Sequence, residues 1–321
     1  MFLSCDWGTS SFRLRLIQVA DLKIIGEEKT DRGIAETYTL WKETSAGESE
    51  RFKFYQSYIT EQIEALHKKV SIPLDKVPVV LSGMASSTIG MLDLAYKELP
   101  FFLDGSDLKT ETIQTEGSNP FIIISGVRTA DDVIRGEETK VVGCSRILDQ
   151  THHEKLLILP GTHSKHILIK NGKAVGFKTY MTGEFFELLS NQSILSSSIE
   201  KGGDFDEQAN QDSFKKGVQD SLTDNLLHAC FRVRTNQLFD KVLKQQNFFY
   251  LSGLLIGTEL KDELTRTTPV YLVSGSKFNA YYTLACDVLA IPVVKQIDGD
   301  TALIEGQKQI YTGLLRKAGL L

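Results

Sequence analysis

The chain has 321 residues, of which 41% are hydrophobic and 24% charged, and its formal net charge is −5. This length and composition allow a sizeable core and two domains. The negative charge argues against nucleic acid and acidic membranes as partners and favours a small molecule. The four cysteines are scattered and form no CxxC pair, which predicts reduced thiols in the cytoplasm and no zinc site. No apolar run approaches the roughly 20 residues that span a bilayer, which predicts a soluble protein.

The first part of the chain has the pattern of a β-meander followed by a helix. Residues 2–5 are apolar, residues 6–10 are turn-like, and residues 12–16 alternate between apolar and basic side chains. These patterns predict strand, turn and strand, and residues 24–25 predict a third strand after a short break at residues 20–21. Residues 52–70 then carry apolar side chains at steps of three and four, which predicts an amphipathic helix, and residues 77–81 predict a further strand.

This opening recurs halfway along the chain. Residues 156–159, 165–170 and 174–180 predict three strands, separated by turns at 160–164 and at Asn171-Gly172. Either half alone is compatible with an ordinary hairpin. The matched order of strands and turns favours duplication, and therefore an α/β protein built from two copies of one unit.

Two later segments, 249–253 and 271–275, predict strands that end at a Ser-Gly pair and lead into helices. We expect one domain over residues 1–150, a second over 151–297, and a terminal helix over 298–321 that runs back toward the first. Asp300 is the expected cap of this last helix.

The repeated Gly-Thr turns are candidates for binding phosphate. Neither GxGxxG nor GK[ST] occurs in the chain, so phosphate binding requires another device. Glycine lets a phosphate approach the backbone, and the exposed amides and hydroxyls of such a turn bind its oxygens. Asp6, at the end of the first strand, is positioned to hold hydrated Mg²⁺, with an Asx turn as the structural alternative.

Longer motifs point to a particular family. They span almost the whole chain and comprise Asp6-Trp7-Gly8-Thr9-Ser10-Ser11, Ser82-Gly83-Met84-Ala85-Ser86-Ser87, Asp132-Val133-Ile134-Arg135-Gly136-Glu137-Glu138-Thr139, Pro160-Gly161-Thr162-His163-Ser164-Lys165, Met181-Thr182-Gly183-Glu184 and Ser252-Gly253-Leu254-Leu255-Ile256-Gly257. In these motifs the chain resembles the 2-dehydro-3-deoxygalactonokinase family, within the superfamily of sugar kinases, actin and chaperone ATPases. It departs from the family at Gln192, where histidine is usual, and at Ser274-Gly275-Ser276, where the family tends toward Gly-Gly.

The resemblance implies two duplicated RNase H-like domains of the actin-like ATPase fold, with ATP in an interdomain cleft. It also implies transfer of the ATP γ-phosphoryl group to the terminal hydroxyl of 2-dehydro-3-deoxy-D-galactonate, with Mg²⁺ as cofactor. A carboxylate then serves as base. Asp132 is the first candidate and Asp131 its competitor, and both are alternatively caps for the segment that follows. Lys165 is placed to reach the transferred phosphoryl group.

The remaining site residues follow from the same resemblance. The predicted nucleotide contacts are Gly8, Thr9, Ser10, Gly161, Thr162, His163, Gly253 and Gly275. The predicted substrate contacts are Arg13, Ser82, Gly83, Met84, Arg128 and Glu184. The two arginines match a substrate carboxylate but are equally typical of an exposed strand, and His163 and Glu184 are equally suited to capping. Glu137 and Glu138 are candidates for substrate hydroxyls or Mg²⁺, although adjacent carboxylates usually form a solvated face.

These motifs do not determine which sugar accepts the phosphoryl group. A different sugar or sugar acid, or a non-catalytic sensor of nucleotide or sugar, is compatible with the same turns. The expected partners are a small sugar acid and ATP, with no nucleic acid or membrane, and a homodimer is compatible with this interpretation.

Overall fold

The computed structural model describes residues 1–45, 47–114, 117–148 and 153–320. Its strands are β1 (Phe2–Trp7), β2 (Phe12–Ile17), β3 (Ile24–Thr30), β4 (Val79–Gly83), β5 (Lys97–Glu98), β6 (Phe101–Phe102), β7 (Thr110–Ile113), β8 (Phe121–Ile124), β9 (Val127–Arg128), β10 (Val133–Ile134), β11 (Glu154–Leu159), β12 (Ser164–Lys170), β13 (Lys173–Tyr180), β14 (Val270–Ser274) and β15 (Val293–Asp298). Its helices are α1 (Ile34–Glu43), α2 (Glu48–Val70), α3 (Glu137–Cys144), α4 (Thr182–Gln192), α5 (Gln208–Thr223), α6 (Leu226–Leu238), α7 (Lys244–Leu260), α8 (Ser276–Val288) and α9 (Gly299–Lys317), with 3-10 turns at Met84–Ser86, Ile194–Ser198 and Lys261–Glu263. Among the helices of these described ranges, none combines the length and the apolar character that a membrane span needs.

The chain forms two compact units. Unit 1 is assembled from three separated segments, Met1–Gln150, Lys170–Gly176 and Gly299–Leu321. Unit 2 contains Thr151–Ile169 and Phe177–Asp298.

The main sheet of unit 1 has the strand order β3-β2-β1-β4-β8-β7. Strands β1, β2 and β3 form an antiparallel meander, while β4 and β8 continue from β1 in parallel. The predicted alternation of β2 is visible in the structure, since Phe12 and Leu14 are fully buried and Arg13 is half-buried. Trp7 and Phe12 pack with Tyr55 and Tyr58 of α2, so the predicted amphipathic helix covers this face of the sheet.

Unit 2 repeats this strand order. In the same direction as for unit 1, its strands lie in the order β13-β12-β11-β14-β15, and β11, β14 and β15 are parallel. The three consecutive strands β11 to β13 thus correspond to β1 to β3, which confirms the predicted duplicated α/β architecture. In unit 1, a small sheet of order β10-β9-β5 is also present, and the first residues of β13 pair with β6.

Each unit contains two helices whose backbones touch through glycine. In unit 1, a Cβ atom added to Gly306 of α9 would lie 1.8 Å from the carbonyl oxygen of Thr139 in α3. In unit 2, a Cβ atom added to Gly253 of α7 would lie 2.0 Å from the carbonyl oxygen of Phe214 in α5. Neither distance leaves room for a side chain, so both helix pairs require glycine at the crossing.

The prediction of a strand at residues 249–253 was wrong. These residues lie inside α7, and nearly every side chain around them is buried. A helix that is buried on all sides has no polar face, so its sequence loses the helical period and looks like a short apolar strand. Gly253 therefore does not open a helix. The corresponding prediction for 271–275 is confirmed, because β14 ends at Ser274 and Gly275 precedes α8.

Candidate active site

The first Gly-Thr turn joins β1 to β2 and rests on the start of a helix. The amide of Gly8 donates to the carbonyl oxygen of Ser11 at 2.9 Å, and Thr9 is exposed. The amides of Ile34 and Ala35, at the start of α1, donate to the carbonyl oxygens of Gly8 and Thr9 at 3.0 and 3.1 Å. The carbonyl groups of the turn are thus held by α1, which fixes the orientation of its peptide groups.

The second Gly-Thr turn has a similar support. The amide of Glu184, in the first turn of α4, donates to the carbonyl oxygen of Thr162 at 3.0 Å. A Cβ atom added to Gly183 would lie 2.7 Å from both the carbonyl oxygen of Gly161 and the Cα atom of Thr162. The Met-Thr-Gly-Glu motif therefore contains a glycine because α4 begins directly against the candidate phosphate-binding turn.

Three predicted residues meet around this second turn. The imidazole Nε2 of His163 lies 2.5 Å from a carboxylate oxygen of Glu184, and both side chains are exposed. Lys165 is buried, and its Nζ donates to the carbonyl oxygen of His163 at 2.7 Å. Glu184, predicted as a substrate contact, thus lies beside a residue predicted to contact nucleotide.

A cavity of about 420 Å³ opens beside this turn within unit 2. Its walls combine aromatic side chains with hydroxyl, amide and charged groups. The main lining residues are Gly161, Thr162, Thr182, Gly183, Phe186, Glu187, Ser190, Asn191, Lys201, Phe248, Ser252, Phe278, Tyr281 and Tyr282. This volume and this mixed lining are typical of a small-molecule site. Its aromatic residues come from α4, α7 and α8, three separated segments, and for this reason sequence reasoning missed them.

The two later glycines predicted to contact nucleotide lie in different surroundings. Gly253 packs against Phe214 of α5, whereas its neighbours Ser252 and Ile256 line the cavity from another face of α7. Helix packing therefore accounts for Gly253. Gly275 is exposed, no atom lies within 4 Å of where its Cβ would be, and it immediately precedes α8, which contributes to the cavity wall.

In unit 1, Asp6 and Gly83 lie together at the ends of two parallel strands. In the register of β1 with β4, Asp6 is opposite Ser82 and Trp7 is opposite Gly83. Gly83 has a φ of +90°, and a Cβ atom there would lie 2.7 Å from the carbonyl oxygen of Trp7 and 3.5 Å from Oδ1 of Asp6. Met84 then begins a 3-10 turn. The carboxyl ends of parallel strands are a common place for a ligand crevice.

Next to this pair lies a buried carboxyl group, Glu138. Gly136 approaches Gly83 so closely that its Cβ would lie 3.1 Å from the Cα atom of Gly83. The carboxyl oxygens of Glu138 accept hydrogen bonds from the amide of Gly136 at 2.7 Å and from Oγ1 of Thr139 at 3.1 Å. Burial, with the adjacent charge of Glu137, raises the pKa of Glu138 to about 7. Glu138 is fully buried, so the alternative of a solvated face does not apply to it.

The raised pKa of Glu138 predicts a specific pH dependence of stability. Because the folded state holds this proton up to about pH 7 and an ordinary glutamate loses it near pH 4.5, the free energy of unfolding falls as pH rises between these values, by about 3 kcal/mol. Glu138→Gln removes this dependence, so the variant gains stability relative to the native chain from pH 5 to pH 8. Urea denaturation across this range measures the difference, with Glu64→Gln at an exposed position of α2 as control. A difference between variant and native chain that is constant with pH contradicts the assignment.

Asp131 and Asp132 lie in the tight turn between β9 and β10. The amide of Asp132 donates to Oγ1 of Thr129 at 2.8 Å, and its Oδ1 accepts from the amide of Val133 at 2.7 Å. Asp131 accepts from Oγ1 of Thr129 at 2.9 Å and is exposed. The segment after them is a strand, so neither residue caps a helix.

The two arginines predicted to bind a substrate carboxylate both contact carboxylates of the chain itself. Arg128 of β9 pairs with Glu98 of β5. Arg13 donates from one nitrogen to both carboxylate oxygens of Asp300, each at 2.8 Å. Arg15 donates to the same carboxylate at 2.5 Å. Asp300, expected as a helix cap, lies in the first turn of α9 and connects this helix to β2.

Both units thus present a Gly-Thr turn at the end of a strand, within two copies of one strand order. This combination defines a protein of the actin-like ATPase fold, the fold class of the sugar kinases. The sequence profile of the 2-keto-3-deoxy-galactonokinases matches residues 6–310. The chain belongs to this family of carbohydrate kinases, and the resemblance inferred from its motifs is confirmed.

Similar proteins agree with this membership. A 2-dehydro-3-deoxygalactonokinase of Escherichia coli (strain K12) is 30% identical over 248 residues, which cover 74% of this chain and 79% of that protein. A crystal structure of a Sinorhizobium meliloti protein named for the same activity has a TM-score of 0.79 at 25% identity, covering 98% of this chain and 96% of that one. An activator of 2-hydroxyisocaproyl-CoA dehydratase from Clostridium difficile, with bound ADPNP, shares the fold at a TM-score of 0.52 and 11% identity, covering 100% and 97%.

Proposed function

We propose that the protein phosphorylates 2-dehydro-3-deoxy-D-galactonate at its 6-hydroxyl with ATP, and that the two Gly-Thr turns bind the phosphates. Membership of a kinase family supports ATP as phosphoryl donor. The name of the Escherichia coli relative supports the acceptor. The reaction requires positioning of both substrates, neutralisation of phosphate charge and a base for the attacking hydroxyl.

The proposal rests on the open space beside Gly8 and Gly161. Neither glycine has a positive φ, and a Cβ atom on either would meet only ordinary contacts at 3.7 Å or more. The fold itself therefore does not require glycine at these positions. A phosphate that approaches the backbone does require it, and the exposed Thr9 and Thr162 supply further donors.

The cavity beside Gly161 suits the nucleoside part of ATP. Phe186, Phe248 and Tyr281 supply aromatic surface for a base, and Ser190 and Asn191 supply polar groups. The cavity volume of about 420 Å³ is within the range of small-ligand sites. We assign the nucleoside to this cavity and the phosphates to the adjoining turn.

Asp6 fits the role of magnesium ligand. Among the described residues, no three His, Cys, Asp or Glu side chains converge on a point where they could hold a metal ion. Mg²⁺ in kinases commonly takes one or two carboxylates and completes its shell with phosphate oxygens and water. A bound Mg²⁺ neutralises phosphate charge, and the half-buried carboxylate of Asp6 is a suitable single ligand.

A coupled assay of ADP release against a panel of aldonates and 2-keto-3-deoxy acids tests this function. We expect turnover that is strongest with 2-dehydro-3-deoxy-D-galactonate. Preference for another member reassigns the acceptor, and nucleotide binding without turnover on any member indicates a sensor.

The same assay tests the turns. Gly8→Ala and Gly161→Ala each raise the KM for ATP about tenfold without lowering the melting temperature, since a methyl group obstructs the phosphate and not the fold. Gly176→Ala, on β13 with nothing within 4 Å of its Cβ position, is the matched control. Unchanged KM values in both turn variants contradict the phosphate assignment.

A further inference from the structure

A buried group of charged residues lies behind the cavity in unit 2, and the proposed reaction does not use it. His166 of β12, Glu259 of α7 and Glu263 of the following 3-10 turn are at most 3% exposed. His166 lies between the carboxylates, with Nε2 at 2.9 Å from Oε1 of Glu259 and Nδ1 at 3.0 Å from Oε1 of Glu263. Burial alone lowers the pKa of His166, but the hydrogen bonds and charges of the two carboxylates outweigh it and raise the pKa overall.

The second carboxylate oxygen of Glu259 contacts the cavity wall. Oε2 accepts hydrogen bonds from Oγ1 of Thr182 and, at 2.7 Å, from the hydroxyl of Tyr282. Thr182 begins α4, and both Thr182 and Tyr282 line the cavity. A single buried side chain therefore connects α4 and α8, the helices on either side of the candidate nucleoside site.

A directed chain of hydrogen bonds runs from Glu259 to the second Gly-Thr turn. The hydroxyl of Tyr282 must donate to Glu259, because a carboxylate only accepts. Burial and the charge of Glu259 raise the pKa of Tyr282 well above its usual range, so it keeps this proton. Tyr282 then accepts from Oγ of Ser164 at 2.8 Å, and Ser164 accepts from the amide of Gly161 at 3.4 Å.

We propose that Glu259 and Tyr282 are positioning residues for nucleotide binding, which orient the Gly161 turn and the start of α4 around ATP. This inference rests on the proposed function. Buried ionic groups are costly to desolvate, so stability alone is a poor reason for placing this group in a core. Here the hydrogen bonds that Glu259 accepts come from Thr182 and Tyr282 in the cavity wall, and His166 balances its negative charge.

The test is Tyr282→Phe, which removes one hydroxyl and leaves the ring in place. We expect the KM for ATP and the calorimetric dissociation constant for ADP to rise about tenfold, because a hydrogen bond to a charged acceptor is lost. The kcat and the KM for the sugar acid stay within about twofold. Tyr180→Phe is the matched control, since Tyr180 packs on the His166 ring and donates to Asp262 but does not line the cavity.

Glu259→Gln and the double variant complete the cycle. Because both residues belong to one chain of hydrogen bonds, the double variant raises the KM for ATP no further than the larger single effect. A lowered melting temperature with unchanged KM and dissociation constant in Tyr282→Phe overturns the inference and shows a structural role only. Failure of the native chain to bind ADP or ATP overturns the proposed function instead, so the two failures are distinguishable.

Discussion

Asp132→Asn is expected to abolish most phosphoryl transfer while leaving the affinity for ATP unchanged. A general base contributes about 10² to 10⁴ in rate, and the variant should lose kcat by this factor. Asparagine keeps the Oδ1 atom that accepts from the amide of Val133, so the turn between β9 and β10 retains its conformation. Steady-state kinetics with 2-dehydro-3-deoxy-D-galactonate and calorimetric titration with ATP in the absence of the sugar acid measure the two quantities separately.

The neighbouring aspartate provides the control. Asp131→Asn changes the same charge in the same turn, and its side chain is exposed and paired with Thr129. We expect near-native kcat for this variant. If Asp131→Asn loses activity and Asp132→Asn does not, the base is Asp131. Near-native rates in both variants place the base outside this turn.

Gly306→Ala is expected to cause the largest loss of stability among single methyl additions in α9. The added Cβ would lie 1.8 Å from the carbonyl oxygen of Thr139, so α9 and α3 must move apart. Overpacking against a rigid backbone costs roughly 3 kcal/mol. The same movement disturbs Thr139 and Glu138, and through them Gly136 and Gly83. Urea denaturation measures the first effect, and the KM for the sugar acid measures the second.

Gly313→Ala is the matched control in the same helix. No atom lies within 4 Å of its Cβ position, so alanine is accommodated there. Replacement of an interior helical glycine by alanine should raise the free energy of unfolding by up to about 1 kcal/mol. Equal destabilisation by the two variants would contradict the assigned role of the helix crossing.

The meanders and the amphipathic helix were predictable because their side chains carry local periods. Phe12 and Leu14 alternate with charged neighbours, and α2 exposes one polar face. Helix α7 was not predictable in the same way, because contacts from α5 and other elements bury it almost completely. Where tertiary packing buries a helix on all sides, its sequence no longer shows the helical period of apolar and polar residues.

The turns of the candidate site were predictable, whereas the long-range ion pairs of the two units were not. Gly8 and Gly161 occupy short motifs that resemble a known family, so their place could be inferred from the sequence. Arg13 and Asp300 are 287 residues apart, and His166 and Glu259 are 93 residues apart. Nothing local marks such pairs, and only the fold brings each basic group to its carboxylate.

The assembly of unit 1 from separated segments sets an order of folding during synthesis. Helix α9 is translated after all of unit 2, yet its residue Gln307 donates hydrogen bonds to the carbonyl oxygens of Cys5 and Val80 at 3.0 and 3.2 Å, in β1 and β4. During synthesis on the ribosome, β1 and β4 of unit 1 therefore lack the hydrogen bonds from Gln307 until unit 2 has been translated. The two segments of unit 2, Thr151–Ile169 and Phe177–Asp298, have both been translated by residue 298. Unit 1, whose strands β1 and β4 are translated before unit 2, is consequently completed after unit 2.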